Sequence, residues 1–263
     1  MLFGTPGLPT EAKNVFDALS VLRRLGLDGM EHEFVRRVYL DEGTARALAK
    51  EKDGLFFTAH APYYINLASE EKAKASLARI RLSAERLAAA GGASVVFHAG
   101  YYGKDPAAAH ERILKNLAIL REWEKELNIR IRPETAGKRT QWGSLEEVIA
   151  ACEQTGLLPC IDFAHLHARA AGGFNTEEEF QRALDMLESR CGHEALKNMH
   201  IHLSGIEYSE KGERRHLPVR ESDMNWRGLL KVLKEYGADG YLINESPNVE
   251  EDALLYKRFW VKL

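Results

Sequence analysis

Six short apolar runs in this sequence of 263 residues each finish on a side chain that can hold a metal ion or move a proton. Leu55-Phe56-Phe57 precedes His60, Ser94-Val95-Val96-Phe97 precedes His98, and Ile129-Arg130-Ile131-Arg132-Pro133 precedes Glu134. Pro159-Cys160-Ile161 precedes Asp162, Met199-His200-Ile201 leads to His202, and Gly240-Tyr241-Leu242-Ile243-Asn244 precedes Glu245. Runs of this length, bounded by turn residues, read as buried strands. Two further runs, Met1 to Gly4 and Gly29 to Phe34, raise the expected strands to eight. In the second of these, Glu31 and Glu33 alternate with Met30 and His32, which leaves one face chargeable.

Helix signals separate the runs. Gly26 ends a first helix, Asp53-Gly54 ends a second over about 41–52, and Ser69 opens a third that carries Leu77, Ile80, Ala84 and Leu87 on one stripe. Asp105-Pro106 supplies an N-cap followed by proline in the first turn, a placement proline tolerates because its missing N–H would be unpaired there anyway. Helices over about 144–154, 176–189 and 224–236 and a final one complete the series. A Gly172-Gly173 loop and a polar loop with Glu213 and His216 are expected between them. Eight strand-then-helix units spaced roughly 30 residues apart predict an α/β fold, a single (β/α)8 TIM barrel over residues 1–263. An open doubly wound sheet usually has a glycine-rich phosphate loop after its first strand, and Gly4-Thr5-Pro6-Gly7 does not match G-x-G-x-x-G.

Composition narrows the setting. A formal charge of −3 gives no global attraction to nucleic acid, although a local basic patch over a metal centre can still hold phosphate. Cys152, Cys160 and Cys191 are an odd, sparse set that suits a reducing cytosol better than a disulfide framework. No run approaches the ~20 apolar residues of a membrane span, and the start lacks a basic leader, so a cytoplasmic protein acting as a monomer is expected.

Parallel barrel strands place their C-terminal ends on one rim, so His60, His98, Glu134, Asp162, His165, His202, His216 and Glu245 are expected to converge. Singly, each reads as a hydrogen-bonded rim residue; jointly, they form a carboxylate and imidazole set suited to Zn²⁺, with Mn²⁺ or Fe²⁺ possible. The set exceeds what one tetrahedral ion uses, so more than one ion and a bridging carboxylate are expected. His200 and His202 share a strand face, and His202, nearer the exit, is the expected ligand; the reverse stays open. His167 is expected to face solvent, and His32, His110 and His193 to be surface or packing residues.

The segment His60-Ala61-Pro62-Tyr63-Tyr64-Ile65-Asn66-Leu67 resembles the H-x-x-Y-x-I-N-L segment of the endonuclease IV family of abasic-site DNA endonucleases. Phe97-His98-Ala99-Gly100 resembles that family's F-H-P-G, Glu134-Thr135-Ala136-Gly137 its E-N-T-A-G, and Cys160-Ile161-Asp162 with His165 its C-I-D-x-x-H. The strand-seven histidines correspond to its M-H-L-N and Glu245-Ser246-Pro247 to its E-T; the matches keep the family's order over most of the chain. The resemblance implies two or three zinc ions. His60 and His98 would hold one that shares Glu134 with a second; Asp162, His200 or His202, and Glu245 would complete the second; His165 and His216 would hold a third. The family's aspartate two residues before its last histidine is replaced here by Arg214; Glu213, one position earlier, is the nearest acid and would serve as the third ion's ligand in its place if the loop shifts. Tyr63, Tyr64 and Arg36 or Arg37 fall where the family inserts side chains into DNA.

Phosphodiester hydrolysis needs a nucleophile at neutral pH, a shield for the phosphate oxygens and help for the departing 3′ oxygen, and a cluster of divalent ions supplies all three. Glu245 or Glu134 would orient the attacking water. The leading expectation is therefore cleavage of double-stranded DNA 5′ to an abasic site, leaving a 3′-hydroxyl and a 5′-deoxyribose phosphate. Extrusion of a sugar with no base to unstack would provide selectivity. A sugar isomerase or epimerase that holds one ion on the same barrel is the alternative. A barrel with a degraded site that only binds is the third reading, and Arg214 is its main support.

Overall fold

The computed structural model describes all 263 residues. Eight parallel strands build the barrel wall: β1 (Leu2–Pro6), β2 (Gly29–Glu33), β3 (Phe56–His60), β4 (Ser94–Phe97), β5 (Arg130–Pro133), β6 (Cys160–Asp162), β7 (Met199–Leu203) and, after a hairpin of β8 (Gly205–Ser209) and β9 (Gly212–Leu217), β10 (Gly240–Asn244). The ladder runs β5-β4-β3-β2-β1-β10-β7-β6. Its two ends meet through a parallel bridge between Glu134 and Cys160 and a hydrogen bond from the Thr135 N–H to the Cys160 carbonyl at 3.2 Å. The chain is thus an α/β TIM barrel, and the seam where it closes lies beside Glu134 and Asp162.

Local chemistry explains the outer helices. The Asn14 side chain accepts from the N–H groups of Phe16 and Asp17, and Gly26 ends that helix in the left-handed conformation. Ser144 with Glu147 and Thr176 with Glu179 form reciprocal capping boxes, which pair donors that the first helical turn leaves without a partner. Apolar faces such as Ile113, Leu117 and Leu120 press on the outside of the strands. Strands wrapped by helices are covered on both faces, and β3 and β7 are buried along their whole length.

Two connections differ from the sequence expectation. Residues 163–169 form a short helix, because the Asp162 carboxylate caps it by accepting from the His165 N–H at 2.6 Å. The expected polar loop with Glu213 and His216 is the antiparallel hairpin β8–β9. Its charged composition hid the strand pattern: Glu207 pairs with Arg214 and Arg215 on the outer face, while Ile206 packs inward. The hairpin lies so close to the barrel that a Cβ on Gly137 would stand 2.7 Å from the Glu213 Cβ.

Candidate metal centre

The strand ends do converge. Glu134, at the exit of β5, is fully buried and sits between three imidazoles: its Oε2 lies 3.1 Å from His60 Nε2 and 3.3 Å from His98 Nε2, and its Oε1 lies 2.9 Å from His202 Nδ1. Glu245 Oε1 is 3.3 Å from the same His202 nitrogen. On the far side, His165 Nδ1 lies 3.3 Å from Asp162 Oδ2 and its Nε2 lies 3.4 Å from His216 Nε2. Four overlapping groups of donors result, each with atoms within 4.8 Å of one another: His60, His98 and Glu134; Glu134, Asp162, His202 and Glu245; Asp162, His165, His216 and Glu245; and the all-carboxylate Glu31, Glu33 and Glu245.

These residues fit divalent metal. Ligands about 2.0–2.1 Å from a tetrahedral ion stand about 3.3–3.4 Å apart, close to several of the separations above. Asp162 Oδ2, His98 Nδ1 and Glu33 Oε1 are buried without a hydrogen-bond partner, an arrangement that costs stability unless something compensates it. Burial pushes the Glu245 carboxyl well above the usual range, and burial together with Glu31 and Glu134 pushes Glu33 up to about 7. Burial works to lower His60, but the hydrogen bond and charge of Glu134, with Glu33 and Glu31, push it up to about 10. His98 is instead lowered to about 4 by burial. Cys160 also comes within reach of His200 and His202, and burial pushes its thiol up.

The strand-seven histidines separate by depth. His202 pairs with Ile243 and Asp162 near the barrel mouth, whereas His200 pairs with Tyr241 and Cys160 one pleat deeper, with Nδ1 3.0 Å from Ser94 Oγ. On β9, His216 and Glu213 are three residues apart, a spacing that would send them to opposite faces of a regular strand. Pairing jumps from Glu207–Arg215 to Tyr208–Glu213, so Arg214 is an extra, bulged residue. The bulge restores parity: Glu213 Oε2 comes 3.7 Å from His165 Nε2, and exposed Arg214 turns out to Glu207.

Tyr63 and Tyr64 are 62% and 61% exposed at the rim, and Arg36 and Arg37 are exposed on the neighbouring loop. A hydrogen bond from the Tyr63 N–H to the Val35 carbonyl at 3.1 Å ties the two loops together. Below them a cavity of about 300 Å³ opens onto His60, His98, His165, Glu213 and Glu245, with Lys138 the cation on its wall. His167, expected in solvent, is fully buried: Nε2 lies 2.9 Å from Asp223 Oδ1 and Nδ1 2.8 Å from the Gly173 carbonyl, because the hairpin covers that face of the short helix. His32 packs against Phe57, His110 accepts from Trp142 Nε1, and His193 is exposed beside Glu188. Sequence reasoning left Glu31, Glu33 and Lys138 out of the site. The Glu31/Glu33 alternation was a signal for the first two; for Lys138 there was none.

A family model described as xylose isomerase-like TIM barrel matches residues 19–259. An uncharacterized protein of Methanocaldococcus jannaschii is 45% identical over 268 aligned residues, which span 100% of this chain and 98% of that protein. A probable endonuclease 4 of Bacillus subtilis is 30% identical over 206 residues, 73% of this chain and 67% of the relative. Among solved structures, a D-tagatose 3-epimerase-like protein superposes with a TM-score of 0.78 at 21% identity, covering 100% of this chain and 96% of its own. Endonuclease IV from Thermus thermophilus gives 0.71 at 24% identity, with 100% and 98% coverage. No helix is long and apolar enough to cross a membrane.

Proposed function

The chain belongs to the xylose isomerase-like TIM barrel family, and from that premise we propose that it is a metal-dependent phosphodiesterase that cuts DNA on the 5′ side of an abasic site. One observation carries the reading. Glu134, Asp162, His202 and Glu245 would by themselves suffice for one ion, yet His60, His98, His165 and His216 flank them with further donors. A surplus of neutral-capable nitrogens on both sides of a shared carboxylate suits a cluster of ions better than a single one.

Two or three divalent ions, zinc or manganese, would ionise water at neutral pH and neutralise charge on the phosphate when bound. The protein's own groups supply the rest. Glu134, held between His60, His98 and His202, fits the shared ligand; Glu245, at the edge of the cavity, fits the group that orients water and takes its proton. Lys138 offers the cavity wall a cation for a phosphate oxygen. Tyr63 and Tyr64, with Arg36 and Arg37 beside them, provide the exposed aromatic and cationic groups that fill the gap left by an extruded nucleotide. The 30% identity to a probable endonuclease 4 supports an endonuclease reading.

An epimerase acting on a small sugar is the second reading, favoured by the four-residue group that can hold one ion and by the acids around the cavity. Metal analysis of the purified protein combined with incubation of a duplex bearing one abasic site separates the two. Two or three ions per chain and a single incision support the nuclease. One ion and no incision would sink it.

A further inference from the structure

Beneath the mouth, β2 sends a carboxylate into the barrel interior that no motif of the resemblance includes. Glu31 is fully buried, with Oε1 3.0 Å from His202 Nε2 and Oε2 3.1 Å from His200 Nε2. One acid therefore stands under both strand-seven histidines. His200 is held from the other side, its Nδ1 3.0 Å from Ser94 Oγ, and Ser94 in turn accepts from Arg132 Nε at 2.9 Å. His202 turns its remaining nitrogen, Nδ1, toward Glu134 and Glu245.

An imidazole can give a metal a lone pair from one nitrogen only when its proton resides on the other, and a carboxylate beside that other nitrogen keeps it there. We propose that Glu31 is a positioning residue that holds the proton of His202 on Nε2 and aims Nδ1 at the metal centre, while His200 is no ligand and steadies the second oxygen of Glu31. The assignment ends the ambiguity between the two histidines: His200 Nδ1 is bonded to Ser94 and its Nε2 faces the Glu31 carboxylate as a charge contact rather than an aligned hydrogen bond, and its place one pleat deeper keeps it from the mouth. It rests on the metal-centre part of the function proposed above and is independent of the DNA substrate.

The test uses the full chain, stripped of metal and titrated with cobalt(II), whose visible absorption reports each site's geometry, in competition with a chelator. Glu31→Gln removes the charge and leaves the volume. It is expected to weaken one ion about 10–100-fold, the range typical for loss of a ligand's hydrogen-bonded partner, and to change that ion's spectrum while the others bind as in the unmodified protein. His200→Gln, which keeps Glu31 but frees one oxygen, should weaken the same ion less than Glu31→Gln does, and it carries the test alone if Glu31→Gln does not fold. Unchanged affinity and spectrum at every site in these variants would overturn the inference and leave the metal centre standing. If the unmodified protein binds no ion at all, both go together.

Discussion

The interior of this barrel is polar at two levels, and they are built on opposite terms. At the floor, Arg132 is 1% exposed, yet every nitrogen finds a neutral acceptor: Nε on Ser94 Oγ, Nη1 on the Pro159 carbonyl at 3.1 Å and Nη2 on Asn198 Oδ1 at 2.7 Å. At the mouth, carboxylates crowd together with imidazoles and several buried atoms have no partner. Burying a polar group is tolerable when its hydrogen bonds are made and costly when they are not. The floor is thus a self-sufficient plug, whereas the mouth is arranged for cations from outside the chain.

If that contrast is right, disturbing the two levels should have different consequences. The largest effect belongs to Glu134→Gln. Loss of the shared carboxylate should drop incision of an abasic duplex by about 10³-fold or more, since ion-based charge stabilisation amounts to several kcal/mol, and elemental analysis should show fewer ions per chain. Retention of full activity and metal content would remove Glu134 from the centre. Arg132→Met should do the reverse. Stranding the acceptors of Ser94, Pro159 and Asn198 should cost about 1–3 kcal/mol of folding stability in urea unfolding, with the ion count unchanged. A stable Arg132→Met protein that binds less metal would erase the distinction between the levels.

Per unit of pH the effect is smaller, and it sharpens the comparison in another way. Burial opposes the charged form of His60, but Glu134, Glu33 and Glu31 push it up to about 10, so at neutral pH the metal-free ring carries a proton that an incoming cation must displace. Metal affinity should therefore rise with pH, by about tenfold per unit for each proton displaced, level off near pH 10 and fall toward acid. Calorimetric titrations in two buffers of different ionisation enthalpy would count the protons released. Equal heats in both would contradict the protonated, metal-free cluster.

Much of the candidate site was legible because His60, His98, Glu134, Asp162, His202 and Glu245 lie at the ends of barrel strands, and those strands advertise themselves as short apolar runs. What failed was sidedness. In β2 the alternation of Glu31 and Glu33 with Met30 and His32 was plain, but helices cover the outside of a barrel strand, so both faces are buried and nothing local says which one looks inward. His167 failed for a related reason: two residues after His165 on a helix puts it on another face, and only the packing of the hairpin makes that face an interior.

The order of strands and helices, and the acids and imidazoles at the strand exits, follow from the chain alone, because hydrophobic period and capping are local properties. The partnership of Glu31 with His200 and His202, and the turning of Glu213 toward His165 by the bulge at Arg214, were decided by tertiary structure. The first depends on which side chains meet across the barrel interior, the second on one extra residue that reverses the faces of a strand, and neither is written in the spacing of the residues involved.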